Sequence, residues 1–155
     1  MGVPSSKSEC PASVRRDRRV VALLLQHRDR LCLLRRSPRV ASDVGMWHCI
    51  TGFLDSGVDP ERHVLTELAE ETGLLRRDLS DFAAGPVLTL PGGDGDWVVH
   101  VYVATARHQR VRLNWEHEDV CWVPWAHAAR EGRVLVPWLS TLVAETLSQI
   151  NPCTS

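Results

Sequence analysis

The sequence lacks what a disulfide framework, a zinc–thiolate site or a membrane span requires. Its five cysteines are an odd number, and no two of them have C-x-x-C spacing. Disulfide-rich secreted domains and zinc ribbons are therefore excluded, and we expect a cytoplasmic protein with reduced thiols. The early apolar run Val20–Leu25 ends in a polar Gln26-His27-Arg28 turn, unlike a signal peptide. A membrane-spanning helix needs roughly 20 apolar residues, and since no run approaches that length we expect no membrane partner.

An excess of charge of either sign is also lacking. The 18 Lys and Arg residues face 19 Asp and Glu residues, which gives a formal net charge of -1. Because nucleic-acid-binding domains usually carry a marked positive excess, we expect no nucleic-acid partner. Tyrosine and phenylalanine are scarce, at one and two residues, whereas tryptophan occurs six times. A single Trp is more often a core residue, but its broad apolar face also suits stacking on a ligand.

The composition that remains is that of one globular domain. Hydrophobic residues make up 44% of the 155 residues and charged residues 24%, which is enough for a sizeable core. Residues 1–13 contain Ser and Pro with few apolar side chains, so we predict a disordered tail there. We predict a folded domain over residues 14–150 and a second short tail over 151–155.

Apolar patterning predicts more strands than helices. A short helix is predicted over Ala126–Glu131, and a terminal helix over Pro137–Ile150. The segment Leu74–Ala84 shows no periodicity and is expected to be irregular. Grouped strands with two or three helices indicate an α+β class built in layers. Aliphatic and β-branched runs predict the strands Val20–Gln26, Leu31–Arg35, Met46–Thr51, Pro86–Leu90, Trp97–Ala106 and Val120–Pro124.

A further helix with well-defined ends is predicted over Pro60–Thr72. Asp59 is a favourable N-cap, and proline is a favoured first residue of a helix. Gly73 suits the left-handed position that follows the last turn. The helix is therefore the element whose position the sequence defines best.

This helix carries Glu67, Glu70 and Glu71, which fall within about 100° of its circumference. Carboxylates so close together repel one another unless a cation lies among them. Oxygen ligands favour magnesium or manganese, which complete their coordination with phosphate oxygens. The pattern thus indicates metal-assisted attack on a diphosphate. A solvated acidic helix face has the same composition and is the alternative, because Glu is common on helix surfaces.

The surrounding residues resemble the motif of a known family. The segment Gly52–Leu74 resembles the Nudix box, G-x5-E-x7-R-E-U-x-E-E-x-G-U, in which U is aliphatic. The resemblance extends over roughly Arg18–Ile150 and implies an α/β/α Nudix sandwich with a mixed, curved sheet. It also implies a hydrolase that cleaves a phosphoanhydride of a nucleoside-diphosphate-linked molecule. The positions in register with the box are Gly52, Glu67, Leu68, Glu70, Glu71, Gly73 and Leu74.

The resemblance implies roles for single residues. Glu67 and Glu71 would bind Mg²⁺ or Mn²⁺ together with the carbonyl of Gly52, and Glu70 would share a metal or orient the water. Glu116, followed by His117 and later by Trp122, is similar to a segment of several Nudix pyrophosphatases whose Glu reaches the metals from a separate loop. The predicted catalytic residues are Glu67, Glu70 and Glu116, although an exposed acidic turn is the alternative for Glu116.

Substrate contacts are implied by a second resemblance. The W-x-x-x-T-G segment from Trp47 to Gly52 is similar to that of dihydroneopterin-triphosphate and nucleoside-triphosphate pyrophosphatases, which implies a nucleotide-like substrate. Trp47 or Trp97 would stack on a base. Arg35 and Arg36 lie where the family often has a basic residue that meets a phosphate, with a solvent-facing pair as the alternative. The expected partner is a small-molecule diphosphate, and the protein is expected to be a monomer or homodimer.

Two positions depart from the box. Val58 replaces its first Glu and Thr66 replaces its Arg, a charged pair that braces loop and helix in the family. We expect Val58 and Thr66 to face each other as a buried apolar–polar replacement of the charged pair. The departures also favour a second hypothesis, a Nudix-fold binding or regulatory module with weakened catalysis. A third hypothesis, hydrolysis of a prenyl or sugar diphosphate, is compatible with the composition. His63, four residues before Glu67, is expected to hydrogen-bond a neighbouring carboxylate.

Overall fold

The computed structural model describes residues 18–92, 95–128 and 132–150. None of the helices within these residues is long and apolar enough to cross a membrane. Short 3₁₀ turns lie at Arg76–Asp78 and Trp125–His127. In the described part the chain forms seven strands and two α-helices: β1 (Arg18–His27), β2 (Arg30–Arg36), β3 (Trp47–His48), β4 (Ile50–Phe53), α1 (Pro60–Thr72), β5 (Leu79–Leu90), β6 (Trp97–Ala106), β7 (His117–Pro124) and α2 (Leu139–Ile150).

The strands form one mixed sheet in the order β3-β2-β1-β6-β5, with β4 also paired to β1 and β7 to β2. Only the β1–β6 pair is parallel among the pairings of the described strands. Because β6 occupies one edge of β1, β2 and β4 share the other edge. β4 pairs with Val20–Leu23 and β2 with Gln26 and His27. The two strands therefore diverge from β1, and this opening is where the candidate site lies.

Helices cover both faces of the sheet. Successive residues of β1 point to opposite faces, so its odd-numbered and even-numbered residues enter separate cores. Val64 and Leu68 of α1 pack with Val21 and Leu23 on one face. On the other face, Leu142 of α2 packs in a core that includes Ala22 and Leu24. The three layers confirm the predicted α/β/α sandwich with a mixed sheet.

The helix predicted over Pro60–Thr72 is confirmed at both ends. The Asp59 carboxylate accepts a hydrogen bond from the backbone N–H of Arg62 at 3.0 Å, which caps the first turn. Gly73 adopts a φ of 79° and donates its N–H to the carbonyl of Ala69 at 2.9 Å. α1 is therefore fixed by local interactions as well as by its buried face.

Other predicted elements need correction. The irregular structure expected over Leu74–Ala84 is wrong, because β5 begins at Leu79. β5 is an edge strand with two breaks in its register against β6 and a largely exposed outer face, so its apolar alternation is interrupted. The strand predicted over Met46–Thr51 is divided into β3 and β4. The terminal helix begins at Leu139, two residues later than expected.

Some predictions fall on residues outside the described part. The tails predicted over residues 1–13 and 151–155 lie there. The short helix predicted over Ala126–Glu131 lies there in part, and its described beginning is the 3₁₀ turn at Trp125–His127.

Candidate active site

A cleft of about 660 Å³ lies where β2 and β4 diverge. One wall is acidic and contains Glu67, Glu70 and Glu116. The other wall is aromatic and contains Phe53 and Trp97. Gly52 and Arg36 also line it, so the structure brings six of the sequence-predicted site residues to one cavity: Arg36, Gly52, Glu67, Glu70, Trp97 and Glu116.

Gly52 and Glu67 fit together because Gly52 has no side chain. Gly52 pairs with Val21 of β1, so the backbone of β4 is held at this point. A Cβ atom at position 52 would overlap the Glu67 side chain, lying 2.6 Å from its Cγ and closer still to its carboxyl group. The Glu67 side chain can therefore keep this position only with glycine at residue 52.

His63 lies against the same carboxylate. Its Nε2 is 3.2 Å from Oε2 of Glu67, one helical turn further along α1. This nitrogen is buried without a hydrogen bond, so the expected hydrogen bond to a carboxylate is not formed and the contact is electrostatic only. Charge on His63 would lower the pKa of Glu67, although burial of Glu67 has the larger, opposite effect.

Glu71 is the most buried of the predicted carboxylates, with 2% of its surface exposed. Its carboxyl group lies close enough to Glu67 and to the backbone of Thr51 for both to affect its pKa, and the Thr51 backbone lowers it. Burial raises the pKa of Glu71 well above its usual range, and the neighbouring Glu67 and Glu116 raise it further. Burial also raises the pKa of Glu67, with Glu70 and Glu116 adding to the effect. Full ionisation of these carboxyl groups is therefore unfavourable when no cation is bound.

A divalent cation fits this donor set. Ionised carboxylates provide the hard oxygen ligands that Mg²⁺ and Mn²⁺ prefer, and a bound cation offsets the repulsion between them. In the described residues, no three His, Cys, Asp or Glu side chains are already arranged to hold an ion. An ion at this site would favour ionisation of Glu67 and Glu71, and Glu116 adds a third nearby carboxylate.

Glu116 is held in the cleft by its own loop. Its backbone N–H donates to Oδ1 of Asn114 at 3.0 Å, and Nδ2 of Asn114 donates to its carboxylate at 3.4 Å. Ser37 ties the loop to the end of β2, since its N–H donates to the Glu116 carbonyl at 2.8 Å and its hydroxyl to the Trp115 carbonyl at 2.7 Å. Glu116 therefore lines the cleft from a loop separate from α1.

Arg35 and Arg36 are separated by the alternation of β2. Arg36 lines the cleft, with its Nε donating to the Ser42 carbonyl at 3.0 Å. Arg35 instead forms an ion pair with Glu118 of β7 at 3.1 Å and is not part of the cleft wall. Only Arg36 is therefore placed to meet a phosphate.

The two candidate tryptophans are also separated. Trp97 lines the cleft, whereas Trp47 packs against the core on the α2 side and is not part of the cleft wall. The cleft also contains aromatic residues that the sequence did not indicate: Phe53, Trp115 and Trp138. The only sequence feature that could have pointed to Phe53 is its position directly after Gly52 of the box.

His48 is another cleft residue that was not predicted. It packs edge-on against Trp138, with ring centroids 4.8 Å apart. Burial lowers the pKa of His48 to about 3, and Arg36 and His117 act in the same direction. Its imidazole is therefore neutral at physiological pH, and it lines the cleft as an uncharged residue.

Val58 and Thr66 do not form a buried contact. The Val58 side chain is 37% exposed, and Thr66 is exposed with its hydroxyl donating to the Arg62 carbonyl at 3.2 Å. The expectation of a buried apolar–polar replacement is therefore wrong. A charge restored at either position would remain in contact with water, so the large cost of an unpaired buried charge does not apply.

Fold and site together define a Nudix domain. The chain belongs to the Nudix family, since the NUDIX domain model matches residues 15–139. Its class is that of the Nudix pyrophosphohydrolases. No curated protein sequence matches the chain.

Solved structures share the fold at low sequence identity. A MutT Nudix hydrolase from Burkholderia pseudomallei is 22% identical, with a TM-score of 0.69 over 84% of this chain and 98% of that one. The Nudix domain of Shewanella oneidensis NrtR, complexed with ADP ribose, is 19% identical, with a TM-score of 0.70 over 96% and 99% of the two chains. The ORF135 protein of E. coli is 14% identical, with a TM-score of 0.71 over 92% and 97%.

Proposed function

We propose that this protein uses Mg²⁺ or Mn²⁺ to hydrolyse a phosphoanhydride of a nucleoside-diphosphate-linked small molecule. The observation that carries the proposal is the single cleft with Glu67, Glu70 and Glu116 on one wall and Trp97 on the other. The acidic wall with a bound cation would hold the diphosphate, and the aromatic wall suits stacking of a flat base. The complex of the Shewanella oneidensis Nudix domain with ADP ribose supports this substrate class.

The residues at the acidic wall would have two roles, cation binding and orientation of the attacking water. Glu67, Glu71, Glu116 and the Gly52 carbonyl would hold the cation, which when bound neutralises phosphate charge and favours ionisation of water. Glu71 would also position Glu67, since the two carboxyl groups lie close enough to affect each other's pKa. Glu70 is exposed in the cleft and would share a cation or orient and deprotonate the attacking water.

Arg36, which also lines the cleft, would bind a phosphate of the substrate. Its Nε is engaged by the Ser42 carbonyl, which fixes the plane of the guanidinium. The remaining N–H groups can then donate to a phosphate oxygen. The resulting contact would orient the anhydride and offset charge on the leaving phosphate.

A binding or regulatory module is the second candidate, and Val58 and Thr66 favour it. The box positions that form a charged pair in the family are here an exposed valine and a threonine. The threonine hydroxyl donates a hydrogen bond to a carbonyl within its own helix. Against this candidate stands the buried pair of Glu67 and Glu71. Burying carboxyl groups costs stability, and a domain that only binds a ligand does not need them.

A substrate panel separates the candidates. Purified protein is incubated with ADP-ribose, nucleoside triphosphates, dinucleoside polyphosphates, nucleotide sugars and geranyl diphosphate, with magnesium, with manganese and with chelator. We expect turnover of at least one nucleoside-containing substrate that requires the metal, with products cleaved at the anhydride. Glu67→Gln is the matched inactive control, and Glu61→Gln, an exposed residue at the start of α1, is the active one. Binding of ADP-ribose without hydrolysis of any compound would instead establish the module.

A further inference from the structure

Phe53 presents a large apolar ring to water at the mouth of the cleft. Its side chain is 68% exposed, although it stands at the end of a strand whose other residues are more buried. Single exposed hydrophobic residues need no explanation. Phe53 is not single, however, because its ring centroid lies 5.8 Å from that of Trp97, with 34° between the planes. The two rings are therefore neighbours at the cleft, and we call the pair the aromatic shelf.

Trp97 is fixed in place within the shelf. The guanidinium of Arg18 lies 4.1 Å from the centroid of its ring. Arg18 is itself held, because its backbone N–H donates to the Asp96 carbonyl at 3.0 Å and its Nη2 to the Gly95 carbonyl at 3.4 Å. A Cβ at Gly92 would lie 3.0 Å from Trp97 Cδ1 and Nε1, so the ring also abuts the backbone. A ligand that stacks on the shelf therefore does not have to order this ring first.

The shelf and the acidic wall are held together by adjacent residues of one strand. Gly52 and Phe53 point to opposite faces of the sheet, since side chains alternate along a strand. Gly52 meets Glu67 on the α1 side, and Phe53 pairs with Val20, which belongs to the core on the α2 side. The cleft therefore bends around β4 from the carboxylates to the rings. A substrate whose diphosphate lies at the acidic wall therefore has its attached group directed towards the aromatic shelf.

We propose that the aromatic shelf binds the flat ring of the substrate and that Phe53 is a specificity-determining residue. The inference rests on the proposed function, because it assigns the ring to the same cleft. Stacking uses the face of a base and does not read its hydrogen-bonding edge. The expected ligands are diphosphates that carry a purine, pyrimidine or similar heteroaromatic ring, with little preference among bases. Prenyl and sugar diphosphates lack such a ring and gain nothing from the shelf.

The first test compares substrates with and without a ring. Phe53→Leu removes the aromatic face and leaves an apolar side chain, and its exposure makes a folding defect unexpected. We expect the KM for ADP-ribose to rise about tenfold, with kcat within about twofold, because stacking binds the ground and transition states equally. With geranyl diphosphate or phosphoribosyl diphosphate the variant should match the wild type. Val87→Ala, an exposed apolar residue of β5, is the control that changes neither.

Two kinetic outcomes would overturn the shelf. One is a KM for ADP-ribose that stays within twofold of the wild type in Phe53→Leu. The other is an equal loss on the ringless compounds, which would show a general defect and no reading of a ring. Either result leaves the proposed hydrolysis intact, since turnover of the panel by the wild type does not depend on this variant.

Binding without catalysis tests the shelf independently of the proposed function. AMP is titrated by calorimetry into wild type, Phe53→Leu and Val87→Ala in the presence of chelator. We expect binding to the wild type and to Val87→Ala, and about tenfold weaker binding to Phe53→Leu. If no compound of the panel is hydrolysed, this pattern still supports the shelf while the proposed function fails. Equal AMP affinity in all three proteins, or none in the wild type, contradicts the shelf whatever the panel shows.

Discussion

Glu71→Gln is expected to lower kcat/KM at least about 100-fold, which corresponds to about 2.7 kcal/mol in the activation barrier. Glu71 is nearly fully buried beside Glu67, so it supports the carboxylates of the acidic wall. An amide has nearly the same shape but cannot supply a charged oxygen to a cation. Loss of a ligand or of its supporting group typically costs this much in metal affinity or activity.

The same substitution should not weaken the metal-free fold. Burial raises the pKa of Glu71 because a charge at this position is unfavourable, and a neutral amide removes that penalty. The melting temperature in chelator should therefore equal or exceed that of the wild type. Glu61→Gln makes the same chemical change at the exposed start of α1 and should affect neither activity nor melting. Activity of Glu71→Gln within about threefold of wild type in saturating magnesium would remove Glu71 from the site.

Gly52→Ala is expected to reduce kcat/KM about 100-fold by displacing Glu67. The added methyl would overlap the Glu67 side chain, and the β4 backbone cannot move away because Gly52 is paired to Val21. Displacement of a catalytic group by about 1 Å is enough for a loss of this size. The KM for a substrate that stacks on Phe53 should change far less than kcat, because the aromatic shelf points to the other face of β4.

Gly85→Ala is the matched control for this substitution. It also adds a methyl in close quarters, 3.3 Å from the Val101 carbonyl oxygen, but on the β5 edge and outside the cleft wall. Its activity should stay within about twofold of wild type, even where stability falls. A Gly52→Ala enzyme as active as Gly85→Ala would show that Glu67 does not need its present position.

Local rules explain what the sequence could predict. The N-cap Asp59, the left-handed Gly73 and the spacing of the glutamates depend on residues a few positions apart. Each could be predicted without knowing what α1 packs against. The same applies to the core strands, whose aliphatic runs allow few other structures.

The remaining features depend on contacts between distant segments. Whether Arg35 or Arg36 faces the cleft depends on the register of β2 against β7, where a shift of one residue exchanges the two sides. Trp47 and Trp97 differ in role because only Trp97 stands beside β1 opposite Arg18. The box pattern gave no reason to choose Phe53, because its neighbour Trp97 is far away in sequence.

The departures from the box also show the limit of pattern matching. A buried replacement of the charged pair was inferred from the positions of Val58 and Thr66 alone. Thr66 instead donates to the Arg62 carbonyl within its own helix, and Val58 is partly exposed. Exposure is a property of the packed fold, and the spacing of two residues does not determine it.

The central claim is that Glu67, Glu71 and their neighbours form a divalent-cation site. Its most direct test is the melting temperature of wild type and Glu71→Gln, each with chelator and with magnesium or manganese. At about ten times the dissociation constant, binding to the native state adds about 1.4 kcal/mol, or about 3–5 °C for a chain of this size. We predict that shift in the wild type and a much smaller one in Glu71→Gln. No shift with either metal, or an equal shift in both proteins, would contradict the claim.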